Sequence, residues 1–107
     1  MTYLKGDIIY LKDYSMLAQG KNIQNGVRPM LVVSNNKNNK CSNVLLAVPC
    51  TTKLKRLDLP SHVLIGVWGM AITEQIFPVT KDNINKVKGR IDNMSEVDEA
   101  LKEVLCL

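Results

Sequence analysis

The strongest constraint on the fold is a series of five short stretches rich in aliphatic and β-branched residues, at 7–11, 30–34, 44–48, 62–65 and 70–73. Polar or glycine-containing turns separate them, and no connection between them has the pattern of a long crossover helix. Parallel strands need such crossovers, whereas short strands joined by polar loops are typical of antiparallel sheets. The pattern therefore predicts a mainly β domain whose antiparallel sheet curls on itself.

The last part of the chain has a different character. Residues 86–91 alternate polar and apolar side chains, as a half-buried strand does. Ser95 is then placed to cap the start of a helix, and acidic residues follow it in the first turn. Apolar side chains recur at helical spacing, at Val97, Leu101, Val104 and Leu105. We therefore expect a last strand and then a short amphipathic helix packed on the sheet.

Length and composition bound the functions that the chain can have. Its 107 residues fit a single domain, 1–107, and its net charge of +4 favours an anionic partner. The three cysteines lack the paired spacing of a zinc site and His62 is the only histidine, so neither a metal nor another cofactor is expected. With no signal segment and no apolar run of membrane-spanning length, we expect a cytoplasmic protein without a membrane partner.

Two apolar strands adjoin side chains that suit an anion. Arg28 follows a glycine by two residues and directly precedes Pro29, after which the strand at 30–34 begins. The strand at 44–48 runs out into Thr51, Thr52 and Lys53. Arginine binds phosphate oxygens two at a time, and hydroxyls add neutral hydrogen bonds to the same group. If the two strands pair, these side chains share one rim, and the ligand expected there is a phosphodiester.

The order of motifs along nearly the whole chain resembles the MazF/PemK toxin family, the ribosome-independent endoribonucleases of bacterial toxin–antitoxin systems. The matching segments are 5–8, 24–29, 48–52, 59–63, the late strand at 74–76, and the closing helix at 97–101. The resemblance implies an SH3-like antiparallel β-barrel with a C-terminal helix, the fold shared with gyrase-poisoning toxins. It also implies a homodimer that binds RNA along the dimer groove, and a cognate antitoxin that occupies the same groove.

The resemblance assigns a catalytic pair, Arg28 and Thr51, which would cut single-stranded RNA at short sequences without a metal. In such a reaction the ribose 2′-hydroxyl attacks the adjacent phosphorus. Arg28 would stabilise the developing charge, and Thr51 would hydrogen-bond the phosphate or steer the nucleophile. The structural alternatives are an arginine that caps a sheet edge by ion pairing and a threonine that merely ends a strand.

A second group of residues is expected to bind RNA, and each of them has an ordinary structural alternative. Gln24 belongs to the arginine motif, and Thr52 stands beside Thr51. Lys53, Lys55 and Arg56 would contact phosphates, or simply form a solvated loop. The amides of Asn35, Asn36 and Gln75 would read exposed base edges, or serve as turn residues.

His62 has two competing interpretations. Histidine is the side-chain type that changes charge near neutral pH, which makes it a candidate proton carrier. Structural hydrogen bonding is the alternative that we favour, because a single histidine cannot serve as acid and base at once.

Two departures from the family pattern leave other functions open. Ile23 stands where some members carry an acid, and Phe77-Pro78 follows Gln75-Ile76 where a basic residue is common. The alternatives are a non-catalytic toxin that binds a gyrase-like protein target, or an RNA-binding regulator. The first is disfavoured because the chain lacks the tryptophan-containing tail of gyrase-poisoning toxins, its only tryptophan being Trp68.

The loop at 13–25, between the first strand and the arginine motif, would act as a flap over the groove, or be disordered.

Overall fold

The computed structural model describes residues 2–15 and 28–107. The described part contains strands and two helices, with short 3-10 turns at Gly66–Trp68 and Lys81–Asn83. In chain order the elements are β1 (Asp7–Leu11), β2 (Met30–Val32), α1 (Asn36–Cys41), β3 (Val44–Thr51), β4 (His62–Leu64), β5 (Met70–Ile72), β6 (Phe77–Thr80), β7 (Ile84–Arg90) and α2 (Ser95–Leu105).

All strand pairs are antiparallel, which confirms the predicted fold class. The sheet has the order β4-β5-β3-β2-β1-β7, and β6 pairs with β3 as well. Trp68, which follows β4, packs against β7: a Cβ built on Gly89 would lie 2.6 Å from its indole ring. The two ends of the sheet therefore approach each other, and glycine is required where they meet.

The central strand β2 is buried on both of its faces. Leu31 faces a cluster that includes Val97 and Ala100 of α2. Met30 and Val32 face a second cluster, on the other side of the sheet, with residues of β1, β3, β6 and β7. A strand covered on both faces has no solvent side, which explains why its sequence is a continuous apolar run rather than an alternation.

The late strand begins later than predicted. β5 pairs with the end of β3, where Ala71 lies opposite Cys50, and β6 pairs with its beginning, where Phe77 lies opposite Ala47. Between these pairings the chain leaves the edge of β3 after β5, which also pairs with β4, so residues 74–76 lie outside the strands. Pro49 of β3 is opposite this excursion: Cys50 N–H points to β2, so the missing donor of Pro49 would point to the other side, where no ladder bond is needed.

The polar run at 35–40, predicted as turn residues, instead forms helix α1. The side chain of Asn35 caps it by accepting from the N–H of Asn38 at 2.8 Å. Asn39 is completely buried, and its Nδ2 donates to the carbonyl oxygen of Ser34 at 2.9 Å. Asn35 thus satisfies a main-chain donor in the first turn of the helix, and Asn39 satisfies the carbonyl just before it, so a run of weak helix formers becomes helical here.

Helix α2 is confirmed, with two differences from the prediction. It begins at Ser95, so Ser95 is not its cap; the Asn93 side chain accepts from both the N–H and the hydroxyl of Ser95. Its buried residues are Val97 and Ala100, whereas Val104 and Leu105 are 36% and 50% exposed. The helix therefore packs on the sheet through its first two turns. No helix in the described ranges is long and apolar enough to cross a membrane.

One ion pair, between a buried carboxylate and a half-exposed arginine, joins the start of β1 to the end of β7. The side chain of Asp7 is 2% exposed, and its Oδ1 accepts from Nε of Arg90 at 2.9 Å. Its Oδ2 accepts from the N–H of Leu4 at 2.8 Å. One carboxylate therefore holds together the turn before β1 and the outermost strand pair of the sheet.

We predict that Asp7→Ala lowers the free energy of unfolding by about 2 kcal/mol, because it leaves a Leu4 donor and a cation without their partner. Asp98→Ala is the matched control, since Asp98 pairs with Lys5 at 2.8 Å but its side chain is 37% exposed. We expect that change to cost no more than about 1 kcal/mol. Urea unfolding of both variants measures the difference, and equal losses would contradict the role given to Asp7.

Candidate active site

The pairing of β2 with β3 brings the predicted catalytic residues together. Met30 lies opposite Pro49 and Leu31 opposite Val48, and the Cys50 N–H donates to the Pro29 carbonyl at 3.0 Å. Continuing this register by two residues beyond Met30 places Arg28 opposite Thr51. The strand pairing on which the expected rim depends is therefore confirmed, while the joint role of Arg28 and Thr51 stays a prediction. Residues opposite each other on antiparallel strands carry side chains on the same face, roughly 5 Å apart at Cβ.

The backbone of Arg28 is anchored by Tyr14. The Tyr14 hydroxyl donates to the Arg28 carbonyl oxygen and accepts from the N–H of Leu11 at 3.0 Å. Burial raises the pKa of Tyr14, which keeps this hydroxyl a donor. This contact forms only because the end of β1 lies next to the start of β2 in the folded chain. No local pattern in the sequence could therefore have indicated Tyr14.

The guanidinium of Arg28 is available to a ligand. Across residues 2–15 and 28–107, the ion pairs found within 4.0 Å do not include Arg28. The alternative in which Arg28 caps a sheet edge by ion pairing therefore has no support in the described residues. A half-buried, unpaired arginine is suited to bind an anion with two parallel hydrogen bonds.

Thr51 has its hydroxyl oxygen engaged and its hydroxyl proton free. The N–H of Lys53 donates to Thr51 Oγ1 at 3.1 Å, so the hydroxyl can donate its own proton to a further acceptor such as a phosphoryl oxygen. Gly69, at φ +88°, lies directly against Thr51: a Cβ built there would be 2.2 Å from the Thr51 carbonyl oxygen. The sequence suggested only a turn at Gly69, because this close approach exists only in the folded chain.

Cys50 precedes Thr51 but does not contribute a nucleophile. It is 1% exposed, and burial raises the pKa of its thiol to about 12. The thiol is therefore protonated at physiological pH, and a protonated thiol is a poor nucleophile. The chemistry of the rim thus rests on the guanidinium and hydroxyl groups.

The segment 52–58, which we call the basic loop, follows Thr51 and is exposed throughout. It carries the predicted RNA-binding residues Thr52, Lys53, Lys55 and Arg56 next to the rim. Arg56 is paired with Asp58 through two hydrogen bonds of 3.1 and 3.2 Å, and this pairing lowers the pKa of Asp58. A phosphate would have to displace Asp58 from Arg56, whereas the two lysines offer their charges directly.

The structure separates two of the predicted amide contacts, Asn35 and Asn36, from the rim. Asn35 follows β2 at the end opposite Arg28, seven residues along an extended chain and so roughly 20 Å away. Its side chain caps α1, and Asn36 Oδ1 accepts from the N–H of Lys5 at 2.7 Å. Gln75 lies in the exposed turn between β5 and β6. Gln24, the position of Ile23, and all but the start of the 13–25 loop lie outside the described residues.

His62 lies two strands away from Thr51, roughly 10 Å across the sheet. Its Nδ1 is 3.1 Å from the Lys55 carbonyl oxygen and its Nε2 is 3.0 Å from Oε1 of Glu74. With both ring nitrogens engaged by protein groups, the geometry supports the structural alternative for His62 over proton transfer. Nothing in the sequence indicated the contacts of Glu74. It lies thirteen residues after Ser61, and only the pairing of β4 with β5 brings its carboxylate next to Ser61 and His62.

Comparison with known proteins identifies the kind of molecule that carries this rim. The family described as PemK-like, MazF-like toxins of type II toxin–antitoxin systems matches residues 5–105. The chain belongs to this toxin family. The match spans β1 through α2, and so includes both Arg28 and Thr51.

Individual relatives agree with the family match over the full length of this toxin. The endoribonuclease EndoA of Bacillus subtilis (strain 168) is 31% identical over 116 residues, covering 100% of this chain and 97% of EndoA. A solved endoribonuclease from a mycobacterial species is 25% identical with a TM-score of 0.78, covering 100% of this chain and 94% of its own. A mycobacterial endoribonuclease in complex with its cognate antitoxin has the same fold, with 24% identity, a TM-score of 0.79, and coverage of 98% and 96%.

We predict that Gly69→Ala lowers RNA cleavage by about a hundredfold, since displacing a catalytic group by about 1 Å can cost that much. Gly66→Ala is the matched control: Gly66 also has a positive φ, of +72°, but a Cβ there meets nothing within 4 Å. Both substitutions carry backbone strain of about 1 kcal/mol, so only the clash with Thr51 distinguishes them. Cleavage rates measured on folded samples of both toxins test this, and equal rates would contradict it.

We also predict that Tyr14→Phe lowers kcat for RNA cleavage about tenfold, because the Arg28 carbonyl loses the donor that holds it. Tyr10→Phe serves as the control, since the Tyr10 ring lies 5.9 Å from Nζ of Lys86, away from Arg28. Single-turnover cleavage assays at saturating RNA compare the two. An unchanged rate in Tyr14→Phe would show that the anchor is dispensable.

Proposed function

We propose that this toxin is a sequence-selective endoribonuclease that cleaves single-stranded RNA without a metal ion. The observation that carries the proposal is the pairing of β2 with β3, whose register, continued by two residues, sets Arg28 opposite Thr51; among the described residues, Arg28 has no ion-pair partner. The names of the Bacillus subtilis and mycobacterial relatives support the endoribonuclease activity. The rim suits a phosphodiester, because it offers fixed donors and one permanent positive charge.

In the proposed reaction, the 2′-hydroxyl oxygen of a ribose attacks the adjacent phosphorus and loses its proton to a base. The bond from phosphorus to the 5′-oxygen breaks, and that oxygen takes up a proton. The products are a 2′,3′-cyclic phosphate and a 5′-hydroxyl end. Arg28 stabilises the non-bridging oxygens as negative charge accumulates on them, and the Thr51 hydroxyl donates to the same group. Each well-placed donor contributes about 3 kcal/mol to lowering the barrier.

The basic loop supplies a second part of the proposed binding site. Lys53 and Lys55 are exposed and lie within four residues of Thr51, where their ammonium groups reach phosphates next to the cleaved one. Such contacts fix the register of the RNA and make binding weaken with salt, without reading the sequence. Sequence selectivity then comes from amide groups such as those of Gln24 and Gln75, which suit base edges of unpaired RNA.

The partners proposed for the toxin are RNA, a cognate antitoxin and a second copy of the chain, in the cytoplasm of a bacterium. The mycobacterial complex supports the antitoxin, which would silence the toxin by covering the same rim. A homodimer is supported by unpartnered apolar side chains on α2, where Val104, Leu105 and the nearby Leu107 are 36%, 50% and 87% exposed. The gyrase-like alternative has less support, because the only tryptophan, Trp68, is partly buried and packs against Gly89 rather than standing in a C-terminal tail.

The first experiment incubates the purified toxin with a long single-stranded RNA in excess EDTA and maps the product ends. We expect discrete cuts with 2′,3′-cyclic phosphate and 5′-hydroxyl ends. Arg28→Ala should lower the rate by a factor of about 10² to 10³, as the loss of a main charge-stabilising donor does. Thr51→Val should lower it by at least about tenfold, whereas Thr80→Val, on the exposed edge of β6, should leave it unchanged.

Three results would count against the proposal. A strict requirement for a divalent cation would overturn the metal-free mechanism. Full activity in Arg28→Ala would remove the site assignment. Intact RNA with binding retained would favour the RNA-binding regulator, and would direct attention to the substitutions at Ile23 and Phe77.

A further inference from the structure

A single histidine joins the basic loop to the body of the protein. The His62 side chain is only 10% exposed at the start of β4. Its Nδ1 contacts the carbonyl oxygen of Lys55, in the middle of the loop, and its Nε2 contacts the carboxylate of Glu74, in the turn after β5. The ring therefore bridges two segments that are far apart in the sequence.

The Glu74 side of this bridge is firmly held. The Ser61 hydroxyl donates to the same carboxylate oxygen that His62 contacts. The Ser61 carbonyl oxygen accepts from the N–H and the hydroxyl of Thr73, at 2.9 and 2.7 Å, and Thr73 is completely buried. His62 and Glu74 thus flank a hydrogen-bonded junction of β4 and β5, which gives the ring a rigid base.

The basic loop has little other support. In the described part of the chain, the remaining turn and side-chain hydrogen bonds of residues 52–58 stay within the loop or reach its immediate flanks. The Lys53 N–H donates to Thr51, the Leu59 N–H donates to the Arg56 carbonyl, and Arg56 pairs with Asp58. The contact from His62 to the Lys55 carbonyl is therefore the one that ties the middle of the loop to the sheet.

Both contacts can be hydrogen bonds at once only when the ring is protonated. Neutral imidazole carries one N–H and donates to one acceptor, whereas imidazolium donates to both. Glu74 is the carboxylate that contacts the ring. The other charged groups nearby are Asp58 with its partner Arg56 in the loop, and Glu96, Glu99 and Glu103 of α2, which line the adjoining groove.

We propose that His62 is a positioning residue for RNA binding: its protonated ring fastens the basic loop to Glu74 and thereby holds Lys53 and Lys55 beside the rim. This inference rests on the proposed function of the rim as an RNA site. The bridge needs both ring N–H groups, and deprotonation removes one of them, so RNA affinity falls as the pH rises. A loosened loop must be ordered when RNA binds, and that ordering weakens the complex.

The test uses two histidine variants that keep different halves of the bridge. A glutamine amide takes the place of Nε2 and can still donate to Glu74, whereas an asparagine amide takes the place of Nδ1 and can donate to the Lys55 carbonyl. The probe is a labelled RNA that carries 2′-deoxyribose on the 5′ side of the mapped cut, so that it binds without being cleaved. Its Kd is measured from about pH 5.5 to about pH 8, the range of histidine titration.

We expect the wild-type Kd to rise about tenfold across this range, as the free energy of ordering one or two residues implies. His62→Gln should bind at every pH as weakly as the wild type does at the highest pH, and His62→Asn should be intermediate and equally insensitive to pH. In cleavage assays with normal RNA, His62→Gln should raise KM about tenfold and leave kcat within about twofold, because the rim itself is intact.

A second measurement does not depend on RNA. Amide hydrogen exchange at about pH 6 should be several-fold faster over residues 52–58 in His62→Gln than in the wild type, with β7 unchanged as the internal control. Glu74→Gln should also weaken the pH dependence of RNA binding. The matched control Glu99→Gln changes a carboxylate in the same groove that makes no contact with the ring, and should leave it intact. If the histidine variants fail to fold, the comparison of Glu74→Gln with Glu99→Gln still tests the proposal.

The outcomes separate the two proposals. A wild type that cleaves RNA, together with a His62→Gln variant of unchanged Kd, KM and loop exchange, would overturn the role of His62 and leave the nuclease assignment in place. A wild type that neither binds nor cleaves RNA at any pH would overturn the proposed function, and with it the RNA-positioning role. A wild-type Kd that does not change with pH would also overturn the role of His62.

Discussion

The antiparallel pairing of β2 with β3 is the constraint on which the rest of the structure depends. Both strands are buried by clusters on the two faces of the sheet, so their register cannot slip by one residue without exchanging the two sets of side chains. That register places Arg28 opposite Thr51. The proposed chemistry therefore depends on the same apolar packing that stabilises the fold.

Around this strand pair, two glycines stand where another part of the chain comes very close to them, and a proline stands where no backbone N–H is needed. Gly69 allows the start of β5 to lie against the Thr51 carbonyl, and Gly89 allows the Trp68 ring to cover β7. Pro49 occupies the point where β5 leaves β3 and no donor is needed. The rim is thus shaped by positions that carry no functional group of their own, because the shape requires close contact there.

Several side chains that suit RNA are already engaged within the protein. Asn35 caps α1, Asn36 accepts from the N–H of Lys5, Arg56 is paired with Asp58, and His62 bridges the basic loop and Glu74. Arg28, Lys53 and Lys55, in contrast, have no ion-pair partner within the described residues. In the proposed mechanism the division is therefore between a few groups that meet the RNA and a larger polar network that holds them in place.

The sequence by itself determined the antiparallel class, the positions of most strands and the closing helix, because these follow from local periodicity. It also pointed to Arg28 and Thr51 as the proposed catalytic pair, through motifs whose order resembles the toxin family. Tertiary structure alone decided the helix at 36–41, the late start of β6 and the exposed end of α2. Each of these depends on which main-chain groups and faces find a partner far along the chain. The same reason hid Tyr14, Gly69 and Glu74, whose roles arise only where distant strand ends meet, which no spacing along the sequence records.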